Sequence, residues 1–133
     1  MVWTPPDGES IYDAMLRIRE MYDPIIRSND KNVIVVCHGE IVESIIRMFN
    51  DLGTFHDWKD NQEKWGYLLN PVNCQIIHLS KVDPQNGEQC DYLRYVRSIV
   101  PWDLGHSCNC LWEAIERKRY SSEELLEIVE KEI

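Results

Sequence analysis

The chain has 133 residues, 44% hydrophobic and 28% charged, the proportions of one globular domain, which excludes disordered and collagen-like sequence. A domain of this size buries roughly two-thirds of the surface its unfolded chain exposes, so a core needs neither disulfide nor metal to hold it. With 23 acidic residues against 14 Lys and Arg, the formal charge of -9 disfavours nucleic acid or an anionic membrane surface as the main partner.

The first periodic segment is GESIYDAMLRIREMYDPII. Ser10 followed by Asp13 three residues later has the form of a capping box, so a helix is predicted from Ile11. Ile11, Met15, Ile18, Tyr22 and Ile25 form one apolar stripe on it, and Pro24 is expected to kink or end its last turn. After the polar SNDKN, the run VIVVC at residues 33–37 is β-branched, too short for a helix and apolar on both faces, as a central parallel strand is. It ends at His38-Gly39. GEIVESIIRMFNDLG then reads as a second amphipathic helix, with Ile41, Ile45, Met48, Phe49 and Leu52 on one side and Gly53 as its stop. Strand followed directly by helix is half of an α/β unit.

Residues 53–72 are polar and aromatic without a sustained period, which predicts a surface excursion with one short helical piece. NCQIIHLS and DYLRYVRSIV have strand character around the turn-rich VDPQNGEQ, the pattern of an antiparallel hairpin that Pro101 ends. The loop DLGHSCNC follows, then a short helical stretch near 111–118 and a last helix capped by Ser121 with Glu124. Leu125, Leu126 and Val129 of that helix are expected to pack on the domain; docking on a partner is the other reading. One domain, 1–133, is expected, with a helical extension over about 111–133.

His38 carries the most chemistry because it ends a strand and precedes a helix. Ligands of open α/β sheets bind at the carboxyl ends of strands, where the free N–H groups and positive dipole end of the next helix attract anions such as phosphate. Gly39 lets backbone approach a ligand closely there. An imidazole in that position can donate to a phosphoryl oxygen, take a phosphoryl group or move a proton; it can equally do no more than bond a carbonyl. Glu9, in a Gly-Glu-Ser turn, is either a solvated first-turn carboxylate or a general acid and base for a leaving oxygen.

Taken together, P-P-D-G-E-S with its helix, V-I-V-V-C-H-G-E-I-V-E-S-I-I and N-C-Q-I-I-H-L-S resemble the histidine phosphatase superfamily, the phosphoglycerate mutase-like enzymes, over about residues 3–100 and in the order of that family's C-terminal half. The resemblance implies an α/β fold with a mixed, mainly parallel sheet and flanking helices, and phosphoryl transfer from a phosphorylated small molecule through a phosphohistidine, as phosphatase or mutase. It implies Glu9 as proton donor and acceptor, His38 as the histidine that steadies the transferring phosphoryl group, Gly39 beside the phosphate, Asn73 and its strand as scaffold, and no cofactor or metal. The family's nucleophile lies in an Arg-His-Gly at the end of an N-terminal strand, and this sequence contains no Arg-His-Gly. The expected fold therefore lacks that strand. A complementary chain, a second copy completing the sheet, or an inactive relative serving as a binding or assembly module each fits.

No apolar run approaches the ~18 to 20 residues of a membrane span, and MVWTPPDGES lacks a basic segment followed by an apolar stretch, so the expected compartment is the cytoplasm. Five cysteines, an odd number, fit reduced thiols better than a disulfide framework. His106, Cys108 and Cys110, with Cys90 upstream, offer zinc-type ligands at a spacing unlike a C-x-x-C knuckle, so free thiols in a loop are expected and no metal. Trp58, Lys59, Lys64 and Trp65 are candidates for a cleft wall or an interface anchor, and His56 and His78 read as structural or solvated.

Overall fold

Ser10 closes the first turn and opens α1 (Ile11–Arg27) as the N-cap. The Asp13 N–H donates to Ser10 Oγ and the Ser10 N–H to Asp13 Oδ2, both at 3.1 Å, so two otherwise orphaned donors are satisfied reciprocally. These side chains belong to a computed structural model that describes residues 3–29, 32–50, 58–116 and 120–132. Of the predicted stripe, Ile18 and Tyr22 are buried and Met15 and Ile25 half-buried. Pro24 does not end the helix at once. It removes one backbone donor, yet three more residues stay helical, and Ser28 closes the end with its N–H and its hydroxyl on the Ile25 carbonyl, at 3.2 and 2.8 Å.

α2 (Gly39–Asn50) begins where the His38 carbonyl accepts from the Ile41 and Val42 N–H groups, at 3.0 and 3.1 Å. Ile46 is the most deeply buried of its described side chains, one position beyond the predicted Ile45; Leu52 and Gly53 lie outside the described residues, and nothing is described of the Phe49 side chain. α3 (Trp58–Leu69) corrects the predicted surface excursion. Trp65, Leu68 and Leu69, at i, i+3 and i+4, enter the core on one helical face, and Trp65 is thereby core rather than cleft wall. The side chains of Trp58 and Lys59, and the whole of His56, lie outside the description.

β1 (Ile76–Ser80) and β2 (Tyr95–Ile99) form the predicted antiparallel pair, with His78 opposite Arg97. β3 (Glu113–Ala114) adds to β2 in the order β1-β2-β3 and corrects the helical stretch expected near 111–118. Val96 and Ser98 of β2 are buried while Tyr95, Arg97 and Ile99 are half-buried, the period-two pattern of a sheet with one face on a core. That core joins Ile46 of α2, Trp65, Leu68 and Leu69 of α3, Val96 of β2 and Ile115. Gln75 stitches helix to sheet, donating to the Tyr67 carbonyl at 2.8 Å and to Ser98 Oγ at 2.9 Å. α1 packs on α2, and α2 on α3.

The sheet is antiparallel throughout, which corrects the mainly parallel sheet expected from residues 33–37. Val33, Ile34, Val35 and Val36 are 47%, 90%, 41% and 93% exposed and belong to neither a helix nor a strand among the described residues. A strand needs a neighbour to take its backbone hydrogen bonds. The composition of VIVVC encodes strand chemistry, whereas the sheet that forms here comes from a hairpin whose two strands are close in sequence.

α4 (Ser122–Glu132) carries the predicted capping box, with the Ser121 N–H on Glu124 Oε2 at 2.7 Å and the Glu124 N–H on Ser121 Oγ at 3.2 Å. Its Leu125, Leu126 and Val129 remain exposed, contrary to the expected packing on the domain. No helix among the described residues is long and apolar enough to cross a membrane.

Candidate functional site

The turn before α1 is built around Gly8. Asp7 adopts a positive φ of 58°, and the Gly8 N–H returns to the Pro5 carbonyl at 3.1 Å. A Cβ on Gly8 would lie 2.8 Å from Pro5 Cγ, an atom fixed in a ring, so the turn closes tightly only with glycine. This closure aims Glu9 back along the helix. Arg17 Nη2 donates to Glu9 Oε1 at 2.5 Å and Arg17 Nε to Glu9 Oε2 at 3.3 Å, a two-point fork. Gly8→Ala is expected to open the turn and lower stability by about 1 kcal/mol. Thermal unfolding measures it, and an unchanged Tm would show that Pro5 yields without cost.

Arg17 also reaches the next element. Where α1, residues 36–38 and the start of α2 converge, a cavity of about 350 Å³ is lined by Arg17, Ile18, Tyr22, Cys37, His38 and Ile41, among others. His38 is exposed at its rim, and Gly39 is the first residue of α2, whose N-terminal N–H groups and dipole favour an anion. A Cβ on Gly39 would meet Pro71 Cγ at 3.6 Å, an ordinary contact, so protein packing does not by itself require glycine there. Of the predicted site residues, His38 lines the cavity and Gly39 follows it at the start of α2, while Glu9 is not among the lining residues and is linked to the cavity only by its bond to Arg17. Sequence reasoning left Arg17 without a role. The signal was its position seven residues after the N-cap, two helical turns on and hence on the same side as the turn that carries Glu9.

The electrostatics of the cavity restrict its chemistry. Burial pushes the Cys37 thiol above its ordinary alkaline value, so at neutral pH it is protonated and is no thiolate nucleophile. Burial first, and then Cys37, raise the Tyr22 hydroxyl, which stays neutral as well. The hydrogen bond to Glu9 and then its charge raise the Arg17 guanidinium, which stays cationic. Among the described residues lining the cavity, Arg17 is the one Lys or Arg and His38 the one histidine.

The remaining candidates lie elsewhere. Burial and then the Arg97 charge hold His78 below the usual histidine range, and Arg97 Nε donates to its Nδ1 at 3.1 Å, as a neutral ring requires. His78 also packs at a tilt of 56° against Trp112, with centroids 4.9 Å apart, a structural position in the sheet. All five cysteines are free, and no three His, Cys, Asp or Glu among the described residues group to hold a metal ion.

All the residues that build the cavity fall in the first half of the chain. Residues 2–66 match the family model of the histidine phosphatase superfamily, branch 1. The match to the histidine phosphatase superfamily takes in Glu9, Arg17, His38 and Gly39 and covers just under half of the 133 residues. It ends before Asn73 and the β1–β2 hairpin, short of the resemblance read to about residue 100. It falls on the N-terminal part of this chain and gives no support to placing the chain in that superfamily's C-terminal half alone. No curated protein and no solved structure matches the chain.

Proposed function

We propose that the chain serves phosphoryl transfer from a phosphomonoester, as a phosphatase or as a phosphoglycerate mutase-like enzyme, with a second polypeptide supplying the nucleophilic histidine. The observation that carries this reading is the cavity where His38, Arg17 and the N-terminus of α2 converge, inside the segment that matches the histidine phosphatase superfamily. At the level of that superfamily, the match supports phosphoryl transfer. An attacking imidazole would form a bond to phosphorus as the ester P–O bond breaks, with its electron pair passing to the leaving oxygen. Glu9, entering the step protonated, would give that oxygen its proton, become the carboxylate that pairs with Arg17, and then regain a proton from the water that hydrolyses the phosphohistidine. His38 would donate to the equatorial oxygens as their charge develops.

A second polypeptide also answers two features of the chain. The one histidine lining the cavity already has a role in this scheme, and Cys37 is protonated. Val33, Ile34, Val35 and Val36 leave apolar side chains exposed outside any described sheet, a segment that pairing with a strand of another polypeptide would cover. In this reading the complete assembly has the phosphoglycerate mutase-like architecture. Sedimentation of the purified chain is expected to show association, with itself or with a companion; a stable, well-folded monomer would remove the strand-completion part of the proposal.

The same observation that asks for a second polypeptide favours a second reading, a catalytically silent binding or assembly module. The two separate in an assay of p-nitrophenyl phosphate hydrolysis. The isolated chain is expected to show little turnover, and addition of a companion carrying Arg-His-Gly is expected to restore it with an acid-labile phosphohistidine. Failure of every such companion to restore turnover would leave the silent module.

A further inference from the structure

The Glu9–Arg17 pair does little for the fold, because its side chains are 47% and 55% exposed and solvent screens an ion pair of this kind. Its geometry has another use. A guanidinium offers five N–H donors in one plane, and the Glu9 contacts engage the Nε–H and one N–H of Nη2. Three donors are left, on a side chain that lines the cavity beside His38 and the N-terminus of α2. Arginine in this forked form binds planar carboxylate on one edge while its remaining donors suit a tetrahedral oxyanion.

We infer that Arg17 is the oxyanion-binding cation of this cavity, holding Glu9 with one edge of its guanidinium and a phosphate or phosphomonoester oxygen with the other. The inference rests on the phosphoryl-transfer reading of the site and adds a residue that neither the sequence motif nor the family match assigns. With -9 overall, a dianion needs local donors, and Arg17 is the one Lys or Arg among the described residues lining the cavity; Glu9 offsets its charge, so what it supplies is its three remaining N–H groups beside the N-terminus of α2. It also gives Glu9 its position, because one planar group fixes both the anion and the carboxylate that exchanges protons with it.

The test is binding of inorganic phosphate to the isolated full chain, followed by the amide signals of His38, Gly39 and Ile41 and the side-chain Nε signal of Arg17. Saturable shifts at these positions in the millimolar range are expected. Arg17→Gln should weaken binding about tenfold or more, the loss of one charge-assisted contact. Arg17→Lys should recover part of it, because the charge returns without the fork. Glu9→Gln, which removes the competing negative charge, should tighten binding severalfold. Retained helical circular dichroism shows that each variant is folded, as the exposure of the pair predicts. Wild-type affinity in Arg17→Gln, or absence of phosphate binding by the wild-type chain, overturns the assignment. His38→Gln separates the two proposals: loss of binding there with full binding in Arg17→Gln sinks the role of Arg17 alone, while phosphate that shifts neither His38 nor Gly39 counts against the phosphoryl-transfer site as well.

Discussion

Replacing His38 with alanine is expected to lower kcat of the complete assembly by about two to three orders of magnitude, with a much smaller change in KM. The magnitude is that of removing one donor aimed at charge that develops in the transition state. His38 is placed for this by local structure and not by burial: its carbonyl starts α2 through Ile41 and Val42, so its backbone position is fixed while its ring stands exposed at the cavity rim. Truncating the ring therefore leaves the helix start intact, and loss of turnover would report chemistry, not unfolding. His38→Gln, which keeps a donor, is expected to retain more activity than His38→Ala. Equal turnover of both variants and the wild type would remove His38 from the reaction.

The parts of the site and fold that sequence made legible are those written in short-range chemistry. Ser10 and Asp13 predicted both the start of α1 and its reciprocal cap, and Ser121 and Glu124 did so for α4, because a capping box needs residues only three apart. The hairpin was legible because alternation and a turn-rich break lie side by side. The start of α2 just after His38 was legible from its apolar stripe, but the strand expected to end at His38 does not form among the described residues. Long-range consequences were not legible. Residues 33–37 have the composition of a buried central strand, but composition does not state whether a neighbour is present, and none pairs with them among the described residues. β3 has only two residues and exists because β2 offers an edge to Glu113 and Ala114. Arg17 was hidden for a related reason: its partner Glu9 sits before the helix, and the turn set by Gly8 brings the two together.

The largest stability effect is expected at α3, in the segment whose polar first half disguised it. Leu68→Ala should destabilise the chain by about 2–5 kcal/mol, measured by urea unfolding as a lower midpoint with little change in slope. Leu68 is 0% exposed in the cluster that joins Ile46 of α2, Trp65 and Leu69 of α3, Val96 of β2 and Ile115, so the cavity left by truncation has walls from both helices and the sheet. Those walls are held by hydrogen bonds as well as by packing: Gln75 binds the Tyr67 carbonyl and Ser98 Oγ, and the Tyr67 hydroxyl donates to Glu113 at 2.9 Å. Collapse around a smaller residue would strain this polar frame, which places the expected cost in the upper part of the range. A substitution on the same helix that avoids the core, Lys64→Ala, should change stability by no more than about 0.5 kcal/mol, since its ammonium lies 4.9 Å over the Trp65 ring from the exposed side. A Leu68→Ala loss as small as that of Lys64→Ala would show that α3 is not part of the core. Function follows from the same packing. α3 supports α2, and α2 begins at Gly39, so if phosphate binds there as proposed, Leu68→Ala should also weaken that binding as temperature approaches its lowered Tm, while leaving it intact well below.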